Sequence, residues 1–181
     1  MADIEELRPH AAAADIAEAG PRRQIALLLP ELRAFARFLA QDRTLADDLV
    51  QDAILRALRA LDQFQPGTSM KAWLFTILRN AFYEQRRRHK REAAALQAGF
   101  AADDSALPAQ ESHSAINDLQ RHLWRLSPLL REALILVGAQ ELSHEEAAFV
   151  CNVPVGTMKA RLSRARVALA RAIREADAAA E

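Results

Sequence analysis

Residues 64–91 read Phe64-Gln-Pro-Gly-Thr-Ser-Met-Lys-Ala-Trp-Leu-Phe-Thr-Ile-Leu-Arg-Asn-Ala-Phe-Tyr-Glu-Gln-Arg-Arg-Arg-His-Lys-Arg91. A polar loop punctuated by Pro66 and Gly67 runs into a helical pattern. The period buries Met70, Trp73, Leu74, Ile77, Leu78 and Ala81, with Phe82 at the edge. Thr76, Arg79, Asn80 and Tyr83 fall on another face, and five of the last six residues are cationic. One helix that is both a core element and a polar, aromatic, basic surface suits a protein that holds opened or bent nucleic acid.

Working outward, the chain is all-α. Half of its 181 residues are apolar, Ala is abundant, and β-branched runs are missing. On the N-terminal side, Ile25, Leu28, Leu29, Leu32, Phe35, Ala36 and Leu39 keep a helical period, with a kink or fresh start at Pro30. A second period runs through Ala46, Leu49, Val50, Ala53, Ile54, Ala57, Leu58 and Leu61. Thr44 can cap that helix, and Asp47 and Asp48 suit its first turns. Opposite the buried stripe, Asp48, Gln51, Asp52 and Leu55 share a face. That face is either a docking surface or a solvated one with a stray Leu.

On the C-terminal side, residues 92–118 carry five acidic groups and no cationic one, as a linker would. Its first residues, 92–97, suit a helical start. Ile116, Leu119, Leu123 and Leu126 then mark a helix, and Ser127-Pro128 opens another. Ser143 with Glu146 three residues later is a capping box. The short helix it starts turns Ala147, Ala148 and Cys151 inward and Phe149 outward. Asn152 occupies a position that requires a left-handed backbone. Pro154 starts a second helix that buries Met158, Leu162, Ala165 and Leu169 and exposes Thr157, Lys159, Arg161, Ser163, Arg164 and Arg166. This is a helix-turn-helix with a recognition-helix composition. The alternative is an ordinary helical hairpin with a basic solvated face.

The formal net charge is zero, but it is partitioned. Residues 1–21 carry −4, 22–91 carry +7, 92–118 carry −5, 119–174 carry +5 and 175–181 carry −3. Two basic blocks between acidic stretches read as two nucleic-acid-facing modules whose flanks limit non-specific binding. The single cysteine, Cys151, excludes an internal disulfide and reads as a small core residue. No apolar run reaches a membrane span and no signal peptide is evident, so a cytoplasmic chain is expected. None of the five histidines has a metal-ligand spacing with Cys151, and no phosphate-cradling glycine loop is present. Neither enzyme activity nor a cofactor is expected.

Three blocks carry a family resemblance: Ala46-Asp-Asp-Leu-Val-Gln-Asp-Ala-Ile-Leu55, Ala72-Trp-Leu-Phe-Thr-Ile-Leu-Arg-Asn80 and Gly156-Thr-Met-Lys-Ala-Arg-Leu-Ser-Arg-Ala165. Together, over about 22–174, the chain resembles a bacterial RNA polymerase sigma factor of the extracytoplasmic-function type. Phe64-Gln-Pro-Gly-Thr, with Glu145-Glu-Ala-Ala and Cys151, looks closest to the general-stress sigma factors of alphaproteobacteria. The resemblance implies two helical domains. Region 2 would span 22–91 and region 4 would span 115–174. Between them lies a linker at 92–114, and the acidic tails are 1–21 and 175–181.

It also implies partners: core RNA polymerase through its β′ clamp helices and β subunit, promoter DNA, and an anti-sigma factor, with the free chain a monomer. Asp48, Gln51, Asp52 and Leu55 would dock on the polymerase. Gln65, Thr68, Ser69 and Lys71 would line a pocket for a flipped base of the −10 element. Arg79, Asn80 and Tyr83 would supply a polar and stacking face, and Arg86, Arg87, Arg88, Lys90 and Arg91 phosphate contacts. Phe75 and Tyr83 lie off the buried stripe and are the stacking candidates, whereas Trp73 is core. Thr157, Lys159, Arg161, Ser163 and Arg164 would read the −35 duplex. The family pattern usually has Gly where Asn152 stands, a polar residue where Phe149 stands, and Leu-Pro where Ser127-Pro128 stands. Two other classes share some of these features: a stand-alone helix-turn-helix regulator, and a sigma mimic that sequesters an anti-sigma factor. The intact basic runs at 86–91 and 159–164 weigh against a mimic.

Overall fold

The computed structural model describes residues 20–96 and 115–180, which among them form eight α-helices and no strand. The tail at 1–19, most of the linker and Glu181 lie outside the described residues. By contacts the chain divides into two compact units between Ala81 and Phe82, within a helix and before the expected domain end at 91.

In the N-terminal unit, α1 (Pro21–Leu27) runs into α2 (Leu29–Ala40), with Pro30 in the first turn of the new helix. Proline lacks the amide that a first-turn residue leaves unpaired, so it restarts the chain there without cost. Helix α3 (Arg43–Arg59) is capped by Asp42, whose carboxylate accepts the Leu45 amide at 2.8 Å, rather than by Thr44. The loop then reaches α4 (Met70–Leu96), where the Ser69 hydroxyl accepts the Ala72 amide of the first turn. Ile25, Leu28, Leu32, Phe35, Ala46, Leu49, Val50, Ala53, Leu74 and Leu78 are among the buried residues.

The core face of α4 differs from the expected stripe. Phe75, a stacking candidate by sequence, has no solvent exposure and lies flat on Phe35, with ring centroids 4.8 Å apart. Ala72 is buried as well, whereas Trp73 and Ile77 are only half-buried. Trp73 packs against Phe64 of the loop instead, at 5.4 Å between centroids. The helix is therefore rotated toward Phe35, which offers a flat aromatic partner that the periodicity of α4 alone does not reveal. Leu58 on α3, expected in the core, is 43% exposed. Residues 92–96 are helical, as the end of α4 itself.

In the C-terminal unit, α5 (Ala115–Arg125) is followed by α6 (Pro128–Leu134), with Ser127 as its N-cap and Pro128 in its first turn. Arg131 ties the intervening corner. Its Nη2 donates to the Trp124 and Leu126 carbonyl oxygens at 3.1 and 2.9 Å, and its guanidinium lies 3.8 Å from the Trp124 ring centre. Burial pulls this guanidinium below its ordinary pKa. A π-turn at Ile135–Ala139 leads to α7 (His144–Cys151) and α8 (Val155–Ala180). Leu119, expected to face inward on α5, is 47% exposed, whereas Leu126 is buried at the corner. Ala147, Ala148, Val150, Cys151, Met158, Leu162 and Ala165 close the core between α7 and α8.

Candidate nucleic-acid interface

The helix-turn-helix is built locally. The Ser143 hydroxyl accepts the Glu146 amide at 3.0 Å, and the Glu146 carboxylate accepts the Ser143 amide at 2.8 Å. Two donors left orphaned by the first turn of α7 are thus satisfied reciprocally. Asn152 ends α7 at φ 51 and ψ 54, a left-handed conformation that Asn tolerates. The Asn152 turn redirects the chain into α8. Lys159, Ser163 and Arg164 project from its exposed side, while Thr157 and Arg161 sit half-buried at its edges. Phe149 is 60% exposed on α7.

The loop before α4 is shaped by the groups expected to meet a base. The Thr68 hydroxyl donates to the Gln65 carbonyl oxygen at 2.7 Å, and the Thr68 amide donates to the same oxygen at 3.2 Å. Gly67 turns the chain at φ 89. The Ser69 hydroxyl accepts the Ala72 amide at 3.2 Å, capping α4. Lys71 is ion-paired with Glu31 on α2 at 2.5 Å and lies 5.9 Å from the Phe75 ring centre. Thus Thr68, Ser69 and Lys71 fix the loop and the root of α4, and the Gln65 side chain stays exposed at its tip.

Farther along α4, Arg79 and Tyr83 are half-buried and Asn80 is exposed. Tyr83 stands edge-on to Phe82, with centroids 5.2 Å apart. Arg86 covers the Phe82 ring at 5.8 Å, and Arg91 Nε donates to the Arg87 carbonyl oxygen at 3.3 Å. Arg88 pairs with Glu92 at 2.7 Å, and that hydrogen bond holds the Glu92 carboxyl below its usual pKa. Arg86, Arg87, Arg88, Lys90 and Arg91 are all exposed, giving a basic end to the helix.

On α3, Asp48, Gln51, Asp52 and Leu55 are all exposed, with Leu55 at 53%. Arg56 donates to Asp52 at 3.1 Å. The sequence reading missed Leu58. It follows Leu55 by three residues, so the two leucines form one exposed apolar ridge beside Gln51 and Asp48. The missed signal is the width of the apolar arc on α3, since an amphipathic helix needs only about 100° of it for its core.

Two basic helical faces, the second on a helix-turn-helix, lie in a chain of the sigma-70 class of transcription initiation factors. The Sigma-70 region 2 family model matches residues 25–92, and the Sigma-70 region 4 model matches residues 116–169. The chain is 45% identical over 145 residues to the ECF RNA polymerase sigma factor EcfG of Rhodopseudomonas palustris, covering 80% of each. It is 35% identical over 138 residues to the ECF sigma factor SigC of Mycobacterium tuberculosis, covering 74% of each. The sigma factor RpoE of Bartonella quintana, solved with the anti-sigma factor NepR, superposes with a TM-score of 0.71 at 42% identity. That match covers 84% of this chain and 96% of the other. CnrH, solved with the cytosolic domain of CnrY, gives 0.63 at 29% identity, covering 92% and 97%.

The chain belongs to the extracytoplasmic-function family of RNA polymerase sigma factors. It acts with core RNA polymerase on promoter DNA and directs promoter-specific transcription initiation. No helix among the described residues is long and apolar enough to cross a membrane.

Proposed function

We propose that each face has one task within initiation. Region 2, over 22–91, docks on the β′ clamp helices with Leu55 and Leu58 as the apolar centre and Asp48, Gln51 and Asp52 around them. Depletion of charge at the centre with a polar rim is the ordinary anatomy of such a contact. The loop at 64–71 and the face of Asn80 and Tyr83 receive the −10 element once it opens. Gln65 is the loop group that reaches a base, while Thr68, Ser69 and Lys71 hold the loop in shape. The exposed run Arg86, Arg87, Arg88, Lys90 and Arg91 follows the phosphates of the separated strand. Region 4, over 115–174, reads the −35 element as duplex through Thr157, Lys159, Arg161, Ser163 and Arg164, and the linker at 92–114 spans the distance between elements.

The reading extends to setting. The sigma factor RpoE is solved with NepR and CnrH with CnrY, and both are similar to this chain, which supports control by an anti-sigma factor. The likeness to EcfG, together with Phe64-Gln-Pro-Gly-Thr, supports a role in a general stress response in the cytoplasm. The protein carries out no covalent chemistry of its own, and its effect is to give the polymerase an address. The single observation that carries this reading is an exposed apolar ridge and a basic helix end within the stretch that matches region 2, followed by a capped helix-turn-helix within the stretch that matches region 4. Run-off transcription with purified core polymerase on a promoter library tests it. Promoter-specific transcripts that depend on this chain are expected. Core binding without any transcript would favour a mimic, and no core binding a stand-alone regulator.

A further inference from the structure

Helices α2 and α4 meet through two contacts set one helical turn apart on each. Glu31 and Phe35 are four apart on α2, and Lys71 and Phe75 are four apart on α4, so each pair shares a face. Phe35 lies flat on Phe75, and Glu31 pairs with Lys71. A single contact between two helices leaves one free to turn about it, whereas two contacts along one seam do not. The polar rung is partly withdrawn from water. The Lys71 and Glu31 side chains are 24% and 37% exposed, and Glu31 Oε2, the oxygen facing the ammonium, is shut off from solvent. A carboxylate in that position is costly to leave unpaired. Neither side chain has another charged partner among the described residues.

Lys71 is the second residue of α4. It stands two after Ser69, whose hydroxyl caps the helix, and three after Thr68, which closes the loop back onto Gln65. Whatever fixes Lys71 therefore fixes the point where loop becomes helix. The Lys71 ammonium, paired with Glu31 and 5.9 Å from the Phe75 ring centre, is neutralised within the protein. We propose that Glu31, on α2 and outside every DNA-facing element described above, is a positioning residue for −10 recognition. By holding Lys71 it sets where α4 begins and how the Gln65 loop is presented, and it keeps the Lys71 charge from the DNA. This rests on the assignment of the loop at 64–71 to the −10 element.

The test uses holoenzyme made from the full chain, on a promoter from the run-off library and its single-base variants in the −10 element. Glu31→Gln keeps the shape of the side chain and removes its charge. It should cut discrimination among −10 bases about tenfold, the scale of coupling between groups in contact, and leave duplex capture through the upstream element unchanged. Lys71→Gln should do the same, and the two changes together no more than either alone. The exchanged pair, Glu31→Lys with Lys71→Glu, should recover most of the discrimination that either exchange alone destroys. A Lys71 that touched DNA could not be rescued this way, because a carboxylate would then face the phosphates. The salt dependence of opening should also be the same for Lys71→Gln as for the wild type. Full discrimination in Glu31→Gln, an exchanged pair as defective as Lys71→Glu alone, or a log–log slope that falls by about 0.7 in Lys71→Gln overturns the inference. A merely structural pair would lower the melting temperature and duplex capture along with discrimination, and that outcome overturns it too. Gln65→Ala separates the two levels. If it leaves −10 discrimination intact, the loop assignment falls and this inference with it. If it removes discrimination while Glu31→Gln does not, only the role of Glu31 falls.

Discussion

Phe75 and Tyr83 are two aromatic residues of one helix with opposite duties. Phe75 has no exposure and stacks on Phe35, so Phe75→Ala should cost about 3–5 kcal/mol of stability in chemical unfolding. Tyr83 is half-buried against the edge of Phe82, and Tyr83→Ala should leave most of the stability intact while impairing DNA opening in permanganate footprinting. If the two variants lost opening in step with stability, the division of labour would be wrong. At Ser143 the cap is local and measurable. Ser143→Ala removes an acceptor from the first turn of α7 and should destabilise by about 1 kcal/mol, with weaker −35 binding as the recognition helix loses its support. The cap and the left-handed Asn152 were legible in the sequence because each depends on neighbours within four residues. The assignment of Phe75 was not, because its partner lies on another helix, forty residues away in the chain. The ion pair of Lys71 was hidden for the same reason: its carboxylate partner, Glu31, is invisible to any local pattern.

Helices α3 and α4 show how far a single period can be read. The stripe Ala46, Leu49, Val50, Ala53 and Ala57 is buried as expected, but the apolar arc continues past the core to Leu58. By sequence Leu55 falls opposite the buried stripe but Leu58 falls within it, so an exposed ridge that adjoins a core stripe partly merges with it. Leu55→Ser together with Leu58→Ser should therefore weaken core polymerase binding at least tenfold in a titration and leave the thermal midpoint of the free chain unchanged or raised. A fall in midpoint with unaltered binding would return Leu58 to the core. Gln51→Ala with Asp52→Ala tests the rim of the same ridge and should weaken binding less. On α4, replacing Arg86, Arg87 and Lys90 by Gln should reduce the salt dependence of open-complex stability. The log–log slope should fall by about 0.7 for each phosphate of the single strand that is no longer neutralised. An unchanged slope would mean those cations face solvent in the complex.

The whole molecule alternates in charge along its length, with two basic modules between acidic segments. Neutral overall, it has no long-range attraction for bulk DNA, yet each module has a local one. Removing residues 1–19 shifts the balance toward positive and should increase retention of the free chain on non-specific DNA at low salt, an effect that disappears above about 0.15 M as screening shortens to ~8 Å. Equal retention with and without the tail would show that the acidic flank does not limit binding. Two helical periods on either side of the acidic stretch at 92–118 made two units legible, but the division between Ala81 and Phe82 was not, because it falls inside the continuous α4.

Helix α4 runs without a break from its root against Phe35 to its arginine-rich end. From Phe75 to Arg91 that is a stiff arm of roughly 24 Å, so a tilt of about 10° at the root carries the tip roughly 4 Å, more than the reach of a hydrogen bond. Leverage of this kind makes the Phe35–Phe75 stack a fulcrum: a change of one methylene there, inside the core, would re-aim the cations at the other end.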